Sequence, residues 1–399
     1  VVALNLLAYD VWVPGNHEFD FGGERCRELL AKYRATVLAV NLSGERLPGN
    51  VAGWRLVERG GRRVAVIGLT APGLAHWFMP GDLAGLRLEP PLAALARVMP
   101  EVMAARPDLV VLAVHQGRFA PARLGEDFLP EAVRLYPQLT LVLGGHSHQC
   151  EAGVTVGRNS WFVQPGQHGE WLARIEICWL EEPGMPPQVS SRLLPVAEAE
   201  PDRELLAALR RECPLIRAVP TPIAELPDDI AEKVVQAAVG RAMCRSARSD
   251  FALVQPIPPE ALPAAGGLDE AALFRMMPYE NRLWRIMLSG AELAAVMTEQ
   301  QRRSDQPGCR LARADGRLVA VAESGLPADG RVTLAVSNYV LAGGGGRFPV
   351  LRRLGQDSAG GAEDVGMMLR DAIRAQFREA WPVTGKSCAR EVRAIPDQD

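Results

Sequence analysis

The chain has 399 residues, a formal net charge of −3 and 48% hydrophobic residues. That length allows two or three domains with full hydrophobic cores, and the small net charge gives no sign of a nucleic-acid polymer as a partner. No apolar run approaches the roughly 20 residues that a transmembrane helix needs, so no membrane span is expected.

The first half of the chain alternates apolar runs with helical patterns. The mostly apolar residues 1–13 predict a buried element that leads into a loop at Gly15–Gly22. Because continuous apolar runs are typical of parallel strands buried on both faces, the chain predicts an α/β fold with a layered sheet. The predicted strands are Val37–Val40, Val64–Leu69, Leu109–Val114, Leu141–Leu143 and two closing antiparallel strands, Trp161–Gly166 and Arg174–Trp179; the helices include Glu24–Tyr33 and Pro91–Ala105.

A boundary between two halves is indicated at Leu180–Pro201, which is rich in proline and glutamate. The next residues, Asp202–Arg211, predict a connecting helix with Asp202 as its N-cap. Seven cysteines without C-x-x-C spacing predict neither a disulfide framework nor a zinc knuckle. We expect one of them, Cys150, to be a buried small hydrophobe.

The loop at Gly15–Gly22 concentrates polar chemistry. An amide oxygen, an imidazole and two carboxylates fall within five residues, at Asn16, His17, Glu18 and Asp20. Glycines at both ends allow sharp turns or a close approach to a ligand. The pattern suits an active-site loop that holds a metal and a phosphate, although such residues also occur in ordinary surface turns.

Three more of the six histidines lie directly after predicted strands. His115 follows Leu109–Val114, and a Gly-Gly-His-Ser-His segment containing His146 and His148 follows Leu141–Leu143. Packing in a core does not explain four of six histidines at loop positions after apolar runs. Imidazole, amide oxygen and carboxylate together suit Mn, Zn, Fe or similar ions, so the sequence predicts a metal site.

Asn16-His17-Glu18, His115 and Gly145-His146-Ser147-His148 resemble the calcineurin-like metallophosphoesterases in order and spacing, and Gly15–Asp20 looks most like their nucleotidase branch. The resemblance implies a layered β-sandwich flanked by helices and two divalent metal ions (Mn, Zn, Mg, Fe or Co). It implies that Asn16, His115 and His146 bind one metal and His148 the other. It also implies that the catalytic residues are His17 and Asp20, with His17 acting on the phosphate. A Gln-Pro-Gly stretch at Gln164–Gly169 borders the metal centre in such proteins, which suggests a site role for His168.

Two pieces of the family pattern are missing. The Asp-x-His and Gly-Asp motifs that should precede Asn16 do not occur there, since the one Gly-Asp pair, Gly81-Asp82, comes too late. We therefore expect an N-terminally incomplete copy of a longer protein that binds metal weakly and hydrolyses little. No signal peptide is visible, yet relatives of this kind imply a periplasmic, cell-surface or secreted location.

The second half carries two further motifs, Pro278-Tyr279-Glu280-Asn281 and Asn338-Tyr339 followed by Gly343–Gly346 and Phe348-Pro349. From the residues alone, the four glycines suit a flexible loop as well as a backbone that presses against a flat ligand. Both motifs resemble the C-terminal domain of nucleotidases, in particular the 2′,3′-cyclic-nucleotide 2′-phosphodiesterase/3′-nucleotidase group. The resemblance implies that two aromatics stack on the nucleobase, and it assigns substrate binding to Tyr279, Asn281, Tyr339, Gly344 and Gly345.

Two departures separate the chain from the 5′-nucleotidases. Gly345 stands where they keep an aspartate that holds the ribose, and Val254–Pro259 replaces an Asn-Gly-Gly-Ile-Arg run. Both favour the cyclic-phosphodiesterase group, whereas Arg282 and Arg347 are extra to its pattern and are expected to be surface charges.

The resemblance as a whole implies a hydrolase of nucleotide catabolism that cleaves 2′,3′-cyclic and 3′-nucleotides. The alternatives are a 5′-nucleotidase or nucleotide-sugar hydrolase, and a catalytically silent nucleotide-binding fragment. Predicted domains are an incomplete metallophosphoesterase domain at 1–195, a linker helix at 196–217 and a separate α+β substrate-binding domain at 218–399. The partner is a nucleotide, and the sequence does not define the oligomeric state.

Overall fold

A computed structural model describes residues 1–119, 127–179, 187–212, 222–227, 230–258, 261–262, 266–301, 309–320, 328–357 and 361–383. The chain divides into two compact units, Val1–Arg217 and Ala218–Asp399. The predicted limits 1–195, 196–217 and 218–399 stay a proposal, and residues 213–221 at that junction lie outside the described part. None of the described helices is both long and apolar enough to cross a bilayer.

Unit 1 is a mixed α/β structure. Its helices are α1 Val2–Leu6, α2 Gly22–Leu30, α3 Pro91–Ala104, α4 Leu129–Leu135 and α5 Arg203–Glu212. Its strands are β1 Val11–Trp12, β2 Thr36–Leu38, β3 Leu42–Ser43, β4 Val51–Ala52, β5 Trp54–Arg59, β6 Arg62–Leu69, β7 Arg87–Leu88, β8 Leu109–Val114, β9 Leu139–Leu143, β10 Cys150–Val156, β11 Ser160–Pro165, β12 Trp171–Cys178 and β13 Gln188–Pro195.

The main sheet of unit 1 has the strand order β10-β11-β9-β8-β6-β5. The four central strands, β6, β8, β9 and β11, form a parallel array. The two outer strands are antiparallel to it, with β5 paired to β6 and β10 paired to β11. The register pairs Leu69 with Val114 and Ala113 with Leu143, so the carboxyl ends of β6, β8 and β9 meet at one edge. In open α/β sheets, ligands bind at that edge.

The apolar run of β8 explains why this sheet is covered on both faces. Successive strand residues point to opposite faces, and Val110, Leu112 and Val114 join a core with side chains of α3 and α4. The intervening Leu109, Val111 and Ala113 pack on the other face with apolar residues of β2, β12 and β13. The predicted layered β-sandwich flanked by helices is therefore confirmed.

Several element predictions are confirmed, including the strands around β2, β6, β8 and β9 and the helix after Asp202. Asp202 Oδ1 accepts a hydrogen bond from Leu205 N at 2.9 Å, as an N-cap should. Three predictions are wrong. Residues 1–13 form a short helix with no buried residue and a half-buried two-residue strand rather than a buried element. β11 is parallel to β9, and only its other neighbour is antiparallel. Cys150 is exposed.

Unit 2 is an α+β structure. Its helices are α6 Glu232–Ala247, α7 Glu270–Met276, α8 Gly290–Gln301, α9 Asn338–Leu341, α10 Pro349–Gln356 and α11 Leu369–Ala380. Its strands are β14 Pro222–Leu226, β15 Phe251–Val254, β16 Gly266–Asp269, β17 Arg282–Ser289, β18 Arg310–Arg313, β19 Leu318–Val319, β20 Arg331–Ser337 and β21 Glu363–Met368. The main sheet runs β19-β18-β15-β20-β17-β21, and α6 and α11 bury their apolar residues in one core with it.

Candidate functional site

Three predicted site residues of unit 1 converge on one atom. Asn16 is buried (8% exposed), and its Oδ1 lies 2.9 Å from His115 Nε2 and 3.2 Å from His146 Nδ1. The two imidazole rings meet edge to face with centroids 5.1 Å apart. The structure thus brings Asn16, His115 and His146 together at the carboxyl ends of β8 and β9, although 99 and 130 residues separate the histidines from Asn16.

The loop before Asn16 is shaped to admit His115. A Cβ atom on Gly15 would lie 2.7 Å from His115 Cε1, which is closer than real Cβ contacts come. Gly15 N donates a hydrogen bond of 2.6 Å to Glu18 Oε2, and burial raises the pKa of the Glu18 carboxyl. Glu18 therefore closes the loop on itself, a structural role that the sequence pattern did not reveal.

Electrostatics keep both converging histidines neutral. Burial, with a smaller contribution from neighbouring histidines, lowers the pKa of His115 to about 3 and that of His146 to about 4. Neutral imidazole is the form that binds metal ions. At neutral pH, both rings therefore have a nitrogen lone pair available without losing a proton.

His17 behaves differently from its neighbours. Its Nδ1 lies 3.0 Å from Asp20 Oδ2, and its Nε2 lies 3.3 Å from Asn16 Nδ2. The hydrogen bond with Asp20 is the main cause that raises the pKa of His17. The side chain is 52% exposed, so this imidazole can reach a ligand in solution while the carboxylate fixes its tautomer.

The glycine turn after β9 has a strained backbone. In that turn His146 and His148 have φ angles of +69° and +59°. His168, which follows β11, has a φ angle of +56°. Non-glycine residues seldom adopt this region, and such outliers cluster at functional sites. The ring of His148 lies beside that of His168, with centroids 6.4 Å apart. Burial is the main cause that lowers the pKa of His148, followed by His168.

Two further groups support this turn: Gln164, which begins the Gln-Pro-Gly stretch but was given no role from the sequence, and Trp77, which sequence reasoning missed. Gln164 is fully buried, exchanges hydrogen bonds with Ser147 Oγ at 2.8 and 3.0 Å, and donates to Gln149 O at 2.9 Å. The ring of Trp77 lies 5.0 Å from that of His146. Gln164 could have been noticed in the sequence as a polar residue within the predicted strand Trp161–Gly166, whereas no sequence pattern indicates a role for Trp77.

The donor set fits part of the coordination sphere of one divalent cation. Two neutral imidazoles and an amide oxygen within hydrogen-bonding distance are donors that Mn, Zn or Fe accept. Among the described ranges, no three His, Cys, Asp or Glu side chains form a metal-binding group. The amide oxygen of Asn16 is thus the third donor of this trio, and a bridging carboxylate is not part of it.

The predicted substrate-binding motifs of unit 2 lie at one end of an antiparallel strand pair. Tyr279 and Asn281 precede β17, Tyr339 follows β20, and the register pairs Leu283 with Ser337. Arg282 N donates a hydrogen bond of 2.9 Å to Asn338 Oδ1, which joins the two motifs directly. Tyr279 is 48% exposed, so its ring is accessible, whereas Asn281 is buried and accepts a backbone hydrogen bond from Leu369.

The four glycines form a turn of defined conformation rather than an extended flexible loop. Gly343, Gly344, Gly345 and Gly346 have φ angles of +108°, +53°, +67° and +78°, a run that only glycine adopts without strain. Gly344 N donates to Tyr339 O at 2.9 Å. The turn therefore stays next to the tyrosine that the sequence assigned to substrate binding.

Comparisons with known proteins agree with both halves. Residues 217–353 match the family described as 5′-nucleotidase, C-terminal domain. Protein UshA of Escherichia coli is 27% identical over 221 residues, which cover 48% of this chain and 39% of UshA. The match thus spans well under half of the length of that relative.

Solved structures share the fold. A putative 5′-nucleotidase from Staphylococcus aureus, solved in complex with alpha-ketoglutarate, has a TM-score of 0.76 at 18% identity and covers 94% of this chain and 81% of its own. A 5′-nucleotidase precursor from Thermus thermophilus has a TM-score of 0.67 at 20% identity, covering 94% and 82%.

The sandwich with polar side chains at its strand ends, followed by an α+β unit, is the fold that the solved 5′-nucleotidases share. Residues 217–353 match the 5′-nucleotidase C-terminal domain family, and the chain has the fold of the two solved 5′-nucleotidases. Placement in the 2′,3′-cyclic-nucleotide branch stays a prediction.

The converging trio predicts which variants lose metal. His115→Ala and His146→Ala each remove one donor, so each should weaken Mn²⁺ binding by at least the roughly 10- to 100-fold typical of lost supporting groups. His17→Ala in the same loop should keep the affinity, because the hydrogen bond of His17 Nε2 goes to the amide nitrogen of Asn16 and not to the donor oxygen Oδ1. Calorimetric titration of the three folded variants would measure this. Loss of binding in His17→Ala but not in His115→Ala would contradict the assignment.

Proposed function

We propose that the protein hydrolyses nucleotide phosphoesters with the help of divalent metal ions. The observation that carries the proposal is the convergence of Asn16, His115 and His146 beside the His17–Asp20 pair. The nucleotidase C-terminal domain in the same chain supports a nucleotide as the substrate. In this proposal Asn16, His115 and His146 hold one metal ion, and His148 contributes to a second.

The metal ions, when bound, polarise the phosphoryl oxygens and lower the pKa of a water molecule. The residues of the chain orient the phosphate and supply the proton. Asn16 orients the phosphate and the donor set, while Asp20 holds His17 Nδ1 and leaves Nε2 directed to the site. His17, whose raised pKa favours the imidazolium, binds the developing charge or gives its proton to the leaving ribose oxygen.

Substrate selection in this proposal belongs to unit 2. Tyr279 and Tyr339 stack on the nucleobase, and Asn281, Gly344 and Gly345 contact the nucleoside. We propose 2′,3′-cyclic and 3′-nucleotides as preferred substrates, since Gly345 offers no carboxylate to the ribose. The second candidate is a 5′-nucleotidase or nucleotide-sugar hydrolase, and relatives named 5′-nucleotidase support its first form. A silent nucleotide-binding protein is the third candidate. We also propose that the protein is exported to the periplasm or cell surface.

The aromatic clamp predicts a selective change in KM. Tyr279→Ala and Tyr339→Ala should each raise KM for nucleotides about 5- to 150-fold, because a lost base stack costs about 1–3 kcal/mol. KM for a simple aryl phosphate should change little, since that substrate has no base to stack. Steady-state kinetics with both substrates would test this. An equal rise for both substrates would contradict a base-stacking role.

Gly345 predicts the preferred position of the phosphate. Rates should be higher on 2′,3′-cyclic AMP and 3′-AMP than on 5′-AMP. Gly345→Asp should shift the preference toward 5′-AMP, because it supplies the carboxylate that holds the ribose in 5′-nucleotidases. The φ of +67° at Gly345 is one that aspartate tolerates better than most residues, so the variant should fold. Gly345→Ala is the matched control for backbone strain. A wild-type preference for 5′-AMP would favour the 5′-nucleotidase candidate, and binding without turnover would favour the silent protein.

A further inference from the structure

Arg347 is not the surface charge that the sequence suggested. Its Nη2 lies 3.2 Å from the Tyr339 hydroxyl, and its Nε donates to Gly344 O at 2.9 Å. One half-buried guanidinium group therefore contacts both a tyrosine and a glycine that the proposed function places at the nucleoside. The other extra arginine, Arg282, instead pairs with Asp364 at 2.5 Å and is 47% exposed.

The guanidinium does not cover the tyrosine ring. Its central carbon is 5.7 Å from the Tyr339 ring centroid and 5.9 Å from that of Phe348. A centred stack is much closer, as in Arg118 over Phe119 at 4.1 Å. Together with the contact to the hydroxyl, this distance places Arg347 toward the hydroxyl end of Tyr339. The arginine is therefore not centred where a base would stack.

A fixed ring and a fixed glycine turn lower the cost of binding a flat ligand. Four consecutive glycines have the most backbone freedom to lose on ordering, and each immobilised side chain costs about 0.5–1.5 kcal/mol on binding. The planar fork of arginine donates to two acceptors in fixed directions. Arg347 can hold both groups in place, because one of its contacts is the Tyr339 hydroxyl and the other is Gly344 O in the glycine turn.

We propose that Arg347 is a positioning residue that holds Tyr339 and the Gly343–Gly346 turn ready for a nucleoside. The inference rests on the proposed function, in which Tyr339 stacks on the base. It also gives a reason for tyrosine rather than phenylalanine at position 339, since the hydroxyl is the atom that Arg347 contacts. Arg347 acts through Tyr339 and Gly344.

A double-mutant cycle tests the inference through the Tyr339 hydroxyl. The probe is adenosine, titrated calorimetrically into the full chain in the presence of a chelator, so that neither metal nor catalysis contributes. The variants are Tyr339→Phe, Arg347→Met and their combination, with Arg282→Met as the matched control. Tyr339→Phe removes the shared contact while leaving Arg347 and its bond to Gly344 in place, so it remains informative if Arg347→Met does not fold.

Each single variant should weaken adenosine binding about 2- to 13-fold, the usual effect of one hydrogen bond. The double variant should bind adenosine as tightly as whichever single variant binds it less tightly. Arg282→Met should bind adenosine like the wild type. Effects that multiply in the double variant, or unchanged binding by Tyr339→Phe, would overturn the inference. Tyr339→Ala separates the two proposals: unchanged binding by that variant contradicts base stacking itself, whereas weak binding with no Arg347–Tyr339 coupling contradicts only the role of Arg347.

Discussion

The parallel pairing of β6, β8 and β9 is the constraint on which the candidate site depends. Because these strands end at one sheet edge, His115 and His146 reach the same point from distant parts of the chain. Asn16 then supplies one buried oxygen between two imidazoles that burial keeps neutral. A slip of register by one residue would turn the strand side chains to opposite faces, so the packing of the sandwich and the geometry of the donors are set together.

Sequence patterns predicted the sheet strands well because an apolar run such as Leu109–Val114 leaves few alternatives for a strand covered on both faces. The same reasoning failed at residues 1–13, where apolar composition alone did not show that no residue of α1 is buried. Histidines after strands were an available signal for the site. The part played by Glu18 was not, because a carboxylate that closes its own loop has the same sequence signature as one that binds a ligand.

Unit 2 shows a similar division between pattern and geometry. The tyrosine and glycine motifs were visible in the sequence, and the antiparallel pairing of β17 with β20 explains how segments 56 residues apart become neighbours. The contact of Arg347 with Tyr339 was not predictable, since a charged residue in a glycine-rich loop is usually solvated. Only the position of its guanidinium group distinguishes it from Arg282, which makes an exposed ion pair.

We propose that Asn16, His115 and His146 form a metal-binding donor set. The most direct test is anomalous X-ray scattering from crystals of the chain soaked in Zn²⁺. We expect a peak about 2.0–2.2 Å from Asn16 Oδ1 and from one nitrogen of each histidine, the distances usual for such ligands. Strong peaks elsewhere in the molecule, with none at these three atoms, would contradict it.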